Sequence, residues 1–328
     1  MAQFIARRVL YMIPTLFAIS IVSFIIIQLP PGDFLTTLVA QLSSQGESVN
    51  QEALEALRRQ YGLGEPIWIQ YLIWMRNILL HGDFGDSFEY SRPVRDLIGS
   101  RMAWTVGISL GSLLVTWLIA FPLGIFSAVR KYTVGDYVLT FFSFLGLAIP
   151  EFMLALVLLY LSNEYLGLSV GGLFSPEYQD AAWSFGKFAD LLGHLWIPVI
   201  IIGVAHTAGL VRIMRANLLD ELNRPYVVTA RAKGLGERKL LLKYPVRLAL
   251  NPFISTAGWT LPAIVSGEAI VSIVLSLPTV GPLLLRSLQS QDMYLAGSLI
   301  LLTSVLTVIG TLVSDILLAV LDPRIRTM

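Results

Sequence analysis

Three acidic residues interrupt long apolar stretches of this 328-residue chain: Glu151, Glu268 and Asp315. A carboxylate at the centre of a membrane helix costs about 2.5–3.5 kcal/mol, so such groups usually face a cavity or a partner. Glu268, with the nearby Ser266, is the best candidate for lining a polar cavity that crosses the membrane, and its structural alternative is a hydrogen bond across a subunit interface. Asp315 can instead pair with a neighbouring helix. Glu151 follows Pro150 and is expected near a membrane face.

A serine motif offers a second kind of chemistry. The stretch "GISLG", Gly107 to Gly111, matches G-x-S-x-G, and with His206 in another apolar stretch it suggests an intramembrane serine hydrolase. That nucleophile, however, normally stands on a strand–turn–helix. Small residues in membrane helices more often permit close packing, so Ser109 is interpreted as a packing residue.

The chain has few residues that could support other kinds of enzyme chemistry. The chain has no cysteine, which excludes disulfides and cysteine zinc sites, and its three histidines are scattered. No G-x-x-x-x-G-K-[ST] motif is present, so the chain does not cradle ATP phosphates itself. We therefore expect no catalytic residue, no metal and no cofactor on this chain. If it works with ATP, a separate subunit must bind the nucleotide and its Mg²⁺.

The densest cluster of positive charge is "TARAKGLGERK", Thr229 to Lys239, with Arg224 just upstream. One interpretation is a basic loop at anionic lipid headgroups, where each charge contributes about 1 kcal/mol. The other is a rigid docking helix for a cytoplasmic subunit.

Local signals place a short helix in this cluster. Asn223 can cap it, Pro225 suits its first turn, and Gly234 or Gly236 can take the left-handed conformation that ends it. A helix of about nine residues is marginal alone in water, so something must pack on it.

The faces of this helix and the residues after it support close packing. Ala230 and Ala232 give the helix thin faces that another backbone can approach. A second short helix is predicted from Glu237 to Leu248, broken near Pro245.

Composition indicates the element type that must position these residues. The chain is 55% hydrophobic and only 14% charged, and its net charge of +1 gives no argument for nucleic acid. Six apolar runs approach the roughly 20 residues of a membrane-spanning helix, which predicts an all-α membrane protein. They are Val9–Leu29, a run between Arg101 and Arg130, Tyr137–Leu161, His194–Val211, Phe253–Leu277 and Leu295–Leu321.

Charge then sets the orientation. With both termini cytoplasmic, the inside segments hold 15 of the 23 Lys and Arg residues, nine of them between Arg212 and Arg247. The outside segments hold the other eight, against 14 acids. The positive-inside rule therefore places the basic loop, about residues 212–252, in the cytoplasm.

The predicted domain organisation has three parts: residues 1–29 with the first span, an extracytoplasmic segment at 30–102, and a core of 103–328. In the outside segment, "SVNQEALEALRRQYG" is predicted as a short helix, and "PIWIQYLIWMRNILL" as an interfacial helix or a seventh span. The segment is either a lid or a docking face for an outside partner.

Residues across nearly the whole chain resemble one family. "YVVTARAKGLGERKLLLKYPVRLALNP" is similar to the cytoplasmic EAA loop of binding-protein-dependent ABC transporter permeases, in their dipeptide/oligopeptide branch. "FIARRVLYMIPTLFAISIVSFIIIQLPPGD", "LRRQYGLGEPIWIQYLIWMRNILLHGDFGDSF" and "LDPRIR" resemble other parts of that branch, in the same order.

The resemblance implies that the short helix couples to an ATPase subunit. By position Gly234 takes the motif glycine, Thr229 and Ala230 take its two alanines, and Val228 stands where the family has glutamate. The motif's usual isoleucine and proline ending is also absent. The coupling residues it implies are Thr229, Ala230, Arg231, Ala232, Lys233, Gly234 and Leu235.

The resemblance further implies a permease subunit of an ATP-driven importer in a bacterial or archaeal plasma membrane, forming half of the translocation pathway among membrane lipids. Its implied partners are a second permease, two ATP-binding subunits and an extracytoplasmic solute-binding protein. The solute stays open, since "PPGDF" and "LSLPTVGP" look like members associated with sugars, and peptides, oligosaccharides and metal chelates all fit. The alternative class is an ion-gradient-driven secondary transporter or channel, which the intramembrane acids suit. Six spans are few for an inverted-repeat transporter.

Overall fold

The computed structural model describes residues 2–28, 65–87, 89–167, 171–255 and 268–321, and most of these residues are helical. The helices are α1 (Ala2–Gln28), α2 (Ile67–His81), α3 (Val94–Val129), α4 (Val134–Ala148), α5 (Glu151–Leu166), α6 (Phe185–Leu222), α7 (Pro225–Ala232), α8 (Glu237–Lys243), α9 (Pro245–Ser255), α10 (268–274), α11 (Val280–Gln289) and α12 (Met293–Leu321). Two short antiparallel strands, β1 (Asp86–Ser87) and β2 (Arg92–Pro93), precede α3.

The long helices are apolar enough to cross a membrane. Within the described ranges four qualify by length and composition, in α1, α3, α6 and α12, and a fifth is obtained if α4 and α5 count as one broken span. Much of the predicted fifth span, Phe253–Leu277, lies outside the described residues, at 256–267. The helical, membrane-embedded class is therefore confirmed, and the count of six spans stays a prediction.

The third predicted span is not one continuous helix. The run Tyr137–Leu161 contains two helices, α4 and α5, bent by 102°. Ile149 between them has extended dihedral angles (φ −85°, ψ 121°) and is followed by Pro150. Because the proline ring disfavours the helical region for the residue before it, the helix ends there and starts again at Glu151. The continuous helix was a wrong prediction, and Pro150 is the residue that explains the break.

The described chain contains two compact units. The smaller unit consists of Leu10–Ala103 and Thr279–Leu306. Its core joins α1 to α2 through Phe24 and Trp74, whose ring centroids are 5.6 Å apart. The stretch predicted as an interfacial helix forms α2, while the helix predicted at "SVNQEALEALRRQYG" lies outside the described residues.

A buried carboxylate organises the rest of the smaller unit. Asp292 accepts a hydrogen bond from Ser87 Oγ at 2.6 Å and one from the Leu295 backbone N–H at 3.1 Å. It thereby caps the first turn of α12 and ties that turn to β1. The hydrogen bonds satisfy a carboxylate that would be costly to bury unpaired.

The larger unit consists of Met1–Val9, Trp104–Pro278 and Thr307–Met328. Helix α6 is at its centre and contacts α4, α5 and α9. Ile197 and Ile201 of α6 lie in one buried cluster, and Met214 and Leu218 lie in a second with Phe253 of α9. Helix α6 therefore positions the basic loop that follows it. The predicted domain boundaries at residues 29 and 102 stay predictions.

Candidate functional site

The chain between α6 and α9 forms a structured basic segment, defined here as residues 224–255. Helix α6 ends at Leu222, and Asn223 closes it, with its Nδ2 donating to the Leu219 carbonyl at 2.9 Å. Asn223 was therefore wrongly predicted as the cap of the next helix. Arg224 takes that position in an extended conformation, and Pro225 occupies the first helical position of α7. Proline is favoured there because its missing N–H would be unpaired anyway.

Helix α7 ends in a Schellman motif, as the glycine pattern predicts. Gly234 has φ +77°, its N–H donates to the Arg231 carbonyl at 2.9 Å, and the Leu235 N–H donates to the Ala230 carbonyl at 3.3 Å. These two bonds satisfy helix-end carbonyls and fix the direction in which the chain leaves α7. Gly236, the other candidate, has φ −60°. The left-handed glycine is therefore Gly234, the residue that the resemblance places at the motif glycine.

An ion pair bridges this turn. The Arg231 guanidinium donates from Nε and Nη2 to the two Glu237 carboxylate oxygens, at 2.6 and 3.2 Å. These hydrogen bonds lower the pKa of the Glu237 carboxyl. The contribution of the pair is therefore present above the ordinary glutamate pKa of about 4.3 and is lost only as the pH falls through the lowered value. At neutral pH the pair orients α8 against α7, although an exposed pair adds little stability.

One face of the segment is anchored. Val227 of α7 and Leu240 of α8 are fully or almost fully buried. The Tyr226 hydroxyl donates a hydrogen bond to the Glu221 carboxylate at the end of α6, and its ring lies 6.5 Å from that of Tyr244. Burial raises the pKa of the Tyr226 phenol, so it keeps its proton and remains a donor. These contacts supply the packing that so short a helix requires.

The opposite face carries exposed side chains within the described part of the chain. Val228 is 56% exposed, and Ala232, one turn further along, is exposed as well. Leu242 on α8 and Leu248 on α9 add exposed apolar side chains. Of the seven residues predicted to couple, Ala230 and Leu235 are half-buried, and Thr229, Arg231, Ala232, Lys233 and Gly234 are exposed.

This mixture of apolar and basic groups bears on the two interpretations of the segment. A loop held at lipid headgroups needs charge on its surface and can also bury exposed apolar side chains at the interface. A protein groove needs a rigid helix with small and apolar side chains facing out. The ordered helix α7 meets the requirement of a groove, and the choice between the two interpretations stays a prediction.

Sequence reasoning missed a charged cluster beside the segment. Asp136 in the first turn of α4 is 2% exposed, and Arg215 of α6 donates to its two oxygens at 2.9 and 2.8 Å. The Thr133–Asp136 spacing resembles a capping box and could have marked Asp136 as a helix-start residue. No local signal, however, points to a partner 79 residues away.

The intramembrane acids are placed differently from one another. Glu268 is 1% exposed and accepts a hydrogen bond from Ser272 Oγ at 2.8 Å, while Ser266 lies outside the described residues. A pathway role for Glu268 stays a prediction. Asp315 pairs with Arg8 of α1 at 3.1 Å, which confirms the alternative of pairing with a neighbouring helix. Glu151 is half-buried at the break before α5.

The serine motif lies in the middle of α3, not on a strand–turn–helix. Ser109 is buried, and within the described chain its hydroxyl has no hydrogen-bond partner. His206 of α6 bonds through Nδ1 to the Ile202 carbonyl at 2.9 Å. This arrangement lacks the elbow that a serine nucleophile requires. Among the residues described, no three His, Asp or Glu side chains come together as metal ligands would.

Comparison with known proteins identifies the family to which this chain is similar over most of its length. Residues 120–327 match the family described as binding-protein-dependent transport system inner membrane component, and residues 1–109 match its amino-terminal family. The oligopeptide transport system permease protein AppB of Bacillus subtilis (strain 168) is 37% identical over 99% of this chain and 100% of its own length. The oligopeptide transport system permease protein OppB of Haemophilus influenzae is 34% identical, with the same coverage. Among solved structures, an inward-facing MetNI methionine ABC transporter matches with a TM-score of 0.53 at 15% identity, over 69% of this chain and 96% of the other.

Proposed function

This chain belongs to the family of binding-protein-dependent transport system inner membrane components, and on that premise we propose that it forms half of the translocation pathway of an ATP-driven peptide importer. A second, homologous permease supplies the other half. Two ATP-binding subunits dock on the inner face, and an extracytoplasmic solute-binding protein delivers the solute. ATP and Mg²⁺ are held by the ATP-binding subunits, and this chain contributes no catalytic residue.

One observation carries the docking part of this proposal: an ordered, exposed helix whose direction is fixed at both ends. Pro225 starts α7, and the Schellman motif at Gly234 ends it. Val227 anchors its inner side while Val228 faces out. A helix held in this way can transmit the displacement of a bound subunit to the rest of the chain without unfolding.

The absence of the family's glutamate defines the contact. Because Val228 stands in its place, the contact at that position is apolar and not ionic. The exposed Ala232 allows close approach of the partner's backbone, and Lys233 adds positive charge for complementarity at the rim, whereas the Arg231 guanidinium is held by Glu237.

The mechanism is alternating access. Nucleotide binding closes the ATP-binding pair, which moves α7 and biases the pathway toward outward opening. A ligand shifts such an equilibrium only through its different affinity for the two states. The contact made by α7 must therefore differ between them. Glu268 and Ser266 are the proposed pathway residues.

The orientation follows from the charge distribution. Both termini and the basic segment lie in the cytoplasm of a bacterial or archaeal cell, since 15 of the 23 Lys and Arg residues fall in the segments placed there. Residues 30–102 lie outside, where the solute-binding protein arrives.

Oligopeptides are the proposed solute. Both relatives named above are described as oligopeptide transport permeases, and they align over essentially their whole length. Oligosaccharides and metal chelates remain the competing classes.

The test is reconstitution of the complex in proteoliposomes with a radiolabelled short peptide. We expect uptake only when ATP is on the cytoplasmic side and the solute-binding protein is outside. The purified chain alone, under an ion gradient and without ATP, is the control. Uptake by that control would favour the secondary-transporter alternative. If the full complex takes up a labelled oligosaccharide but no peptide, the proposal that the solute is an oligopeptide is wrong.

A further inference from the structure

The carboxylate of Asp136 connects three helices of the larger unit. Arg215 of α6 holds both of its oxygens, Ser127 Oγ of α3 donates to one, and the Tyr132 N–H donates to the other at 2.9 Å. Asp136 itself belongs to α4. A bidentate guanidinium–carboxylate pair is the most directional ionic contact available to a protein. At this point the three helices are therefore fixed in orientation as well as in distance.

The position of this cluster along α6 matters. Arg215 lies seven residues before the end of α6 at Leu222, about two helical turns. Only two residues, Asn223 and Arg224, separate α6 from α7. A displacement of α7 can therefore reach Arg215 through a two-residue connection and the last two turns of α6.

At two glycines, α3 and α4 approach α6 closely. A Cβ on Gly124 of α3 would lie 2.6 Å from the Cβ of Met214, and one on Gly146 of α4 would lie 2.9 Å from a Val204 methyl. These two contacts are apolar and carry no directional bond. The Asp136 cluster adds directional ionic bonds at the end of α6 nearest α7.

We propose that Asp136 and Arg215 form a transmission joint, which makes α3, α4 and the end of α6 move together when α7 is displaced. This inference rests on the proposed function, and both residues act as positioning residues, not as contacts for solute or nucleotide. Without this ion pair, a displacement of α7 by the ATP-binding subunits bends or slides α6 and does not move α3 and α4 with it. ATP is then hydrolysed with less solute moved.

The experiment measures peptide taken up per ATP hydrolysed, in proteoliposomes containing the full complex. For Asp136→Asn and Arg215→Lys we expect this ratio to fall at least about fivefold, the lower end of ordinary coupling energies. Lysine keeps the charge but loses the bidentate geometry, so a fall with Arg215→Lys shows that geometry matters. The amount of assembled complex and the ATPase rate should stay within about twofold of the unmodified complex.

One control bounds the interpretation. Arg212→Gln removes the same charge one turn earlier on α6, where the guanidinium lies over the Phe144 ring at 5.6 Å, and it should keep the normal ratio. Ser127→Ala removes the side-chain hydrogen bond by which α3 holds Asp136, so it should lower the ratio, by less than Arg215→Lys does.

A normal ratio of peptide taken up to ATP hydrolysed in Arg215→Lys would overturn the proposal for Asp136 and Arg215. An equal fall of that ratio in Arg212→Gln would overturn it too. If Asp136→Asn does not assemble, Arg215→Lys alone decides. Should the unmodified complex show no ATP-dependent uptake, the proposed function fails, and that result is distinct from a failure of the joint.

Discussion

Single residues set the conformation of the basic segment, residues 224–255, which is proposed to contact an ATP-binding subunit. Gly234 is required for its backbone conformation and not for lack of space: among the described residues nothing lies within 4 Å of where its Cβ would be, yet its φ is +77°. A side chain there is strained by about 1–3 kcal/mol, and a β-branched one by the upper part of that range.

We predict that Gly234→Val lowers uptake severalfold while ATP hydrolysis continues, because the strained turn changes the direction of α8 relative to α7. Gly236→Val is the matched control, since Gly236 has equally open space and an ordinary φ of −60°. Uptake and ATP hydrolysis are measured on the same proteoliposomes. Normal coupling in Gly234→Val would count against the role of this turn.

Glu268 gives the second prediction at the residue scale. Glu268→Gln removes the charge but keeps an oxygen to accept the bond from Ser272, so assembly should be preserved. If the residue lines the pathway, the KM for peptide uptake rises or the rate falls while basal ATP hydrolysis stays normal. Ser272→Ala serves as the control that removes the bond and leaves the charge. Loss of assembled complex in both variants would instead indicate a structural role.

The elements depend on close approach between helices. Helices α3 and α6 come together at Gly124, where an added Cβ would meet both the Met214 side chain and, at 3.2 Å, the Val211 carbonyl. Backbone atoms cannot move aside as a flexible side chain can. Overpacking of this kind costs about 1–3 kcal/mol.

We therefore expect Gly124→Ala to lower the thermal unfolding midpoint of the purified complex by several degrees, as about 1–3 kcal/mol implies for a protein of this size. Gly107→Ala is on the same helix, and no atom of the described chain lies within 4 Å of the added Cβ, so this variant should leave the midpoint unchanged. Equal midpoints for the two variants would refute the close contact at Gly124.

What the sequence reveals differs between these elements. The stop at Gly234, one of the two glycines predicted for it, and the predicted break near Pro245 both follow from local backbone chemistry. The end of α4 at Ile149 follows from the same chemistry at Pro150, but the hydrophobic run was given more weight and the break was missed. The pairing of Asp136 with Arg215 could not be predicted, because charge pairing across 79 residues depends on tertiary packing and leaves no periodic pattern.

At the scale of the whole molecule, charge and apolar content together predict a membrane protein with its basic segment on one side. The class is confirmed by the apolar helices and by the family match. The orientation and the assembly with partner subunits remain proposals, since residue patterns give only a statistical preference for sidedness.

The most direct test of the docking proposal uses the natural absence of cysteine. A single cysteine is placed at Val228, on the exposed face of α7, and in a second variant at Tyr165, an exposed residue near the end of α5. Each is treated in the assembled complex with a short thiol-to-amine cross-linker. The account predicts that the cysteine at 228 cross-links to an ATP-binding subunit in a nucleotide-dependent manner and that the one at 165 does not. A cysteine at 228 that gives no such product, and that reacts with a membrane-impermeant thiol reagent added from outside the cell, would contradict it.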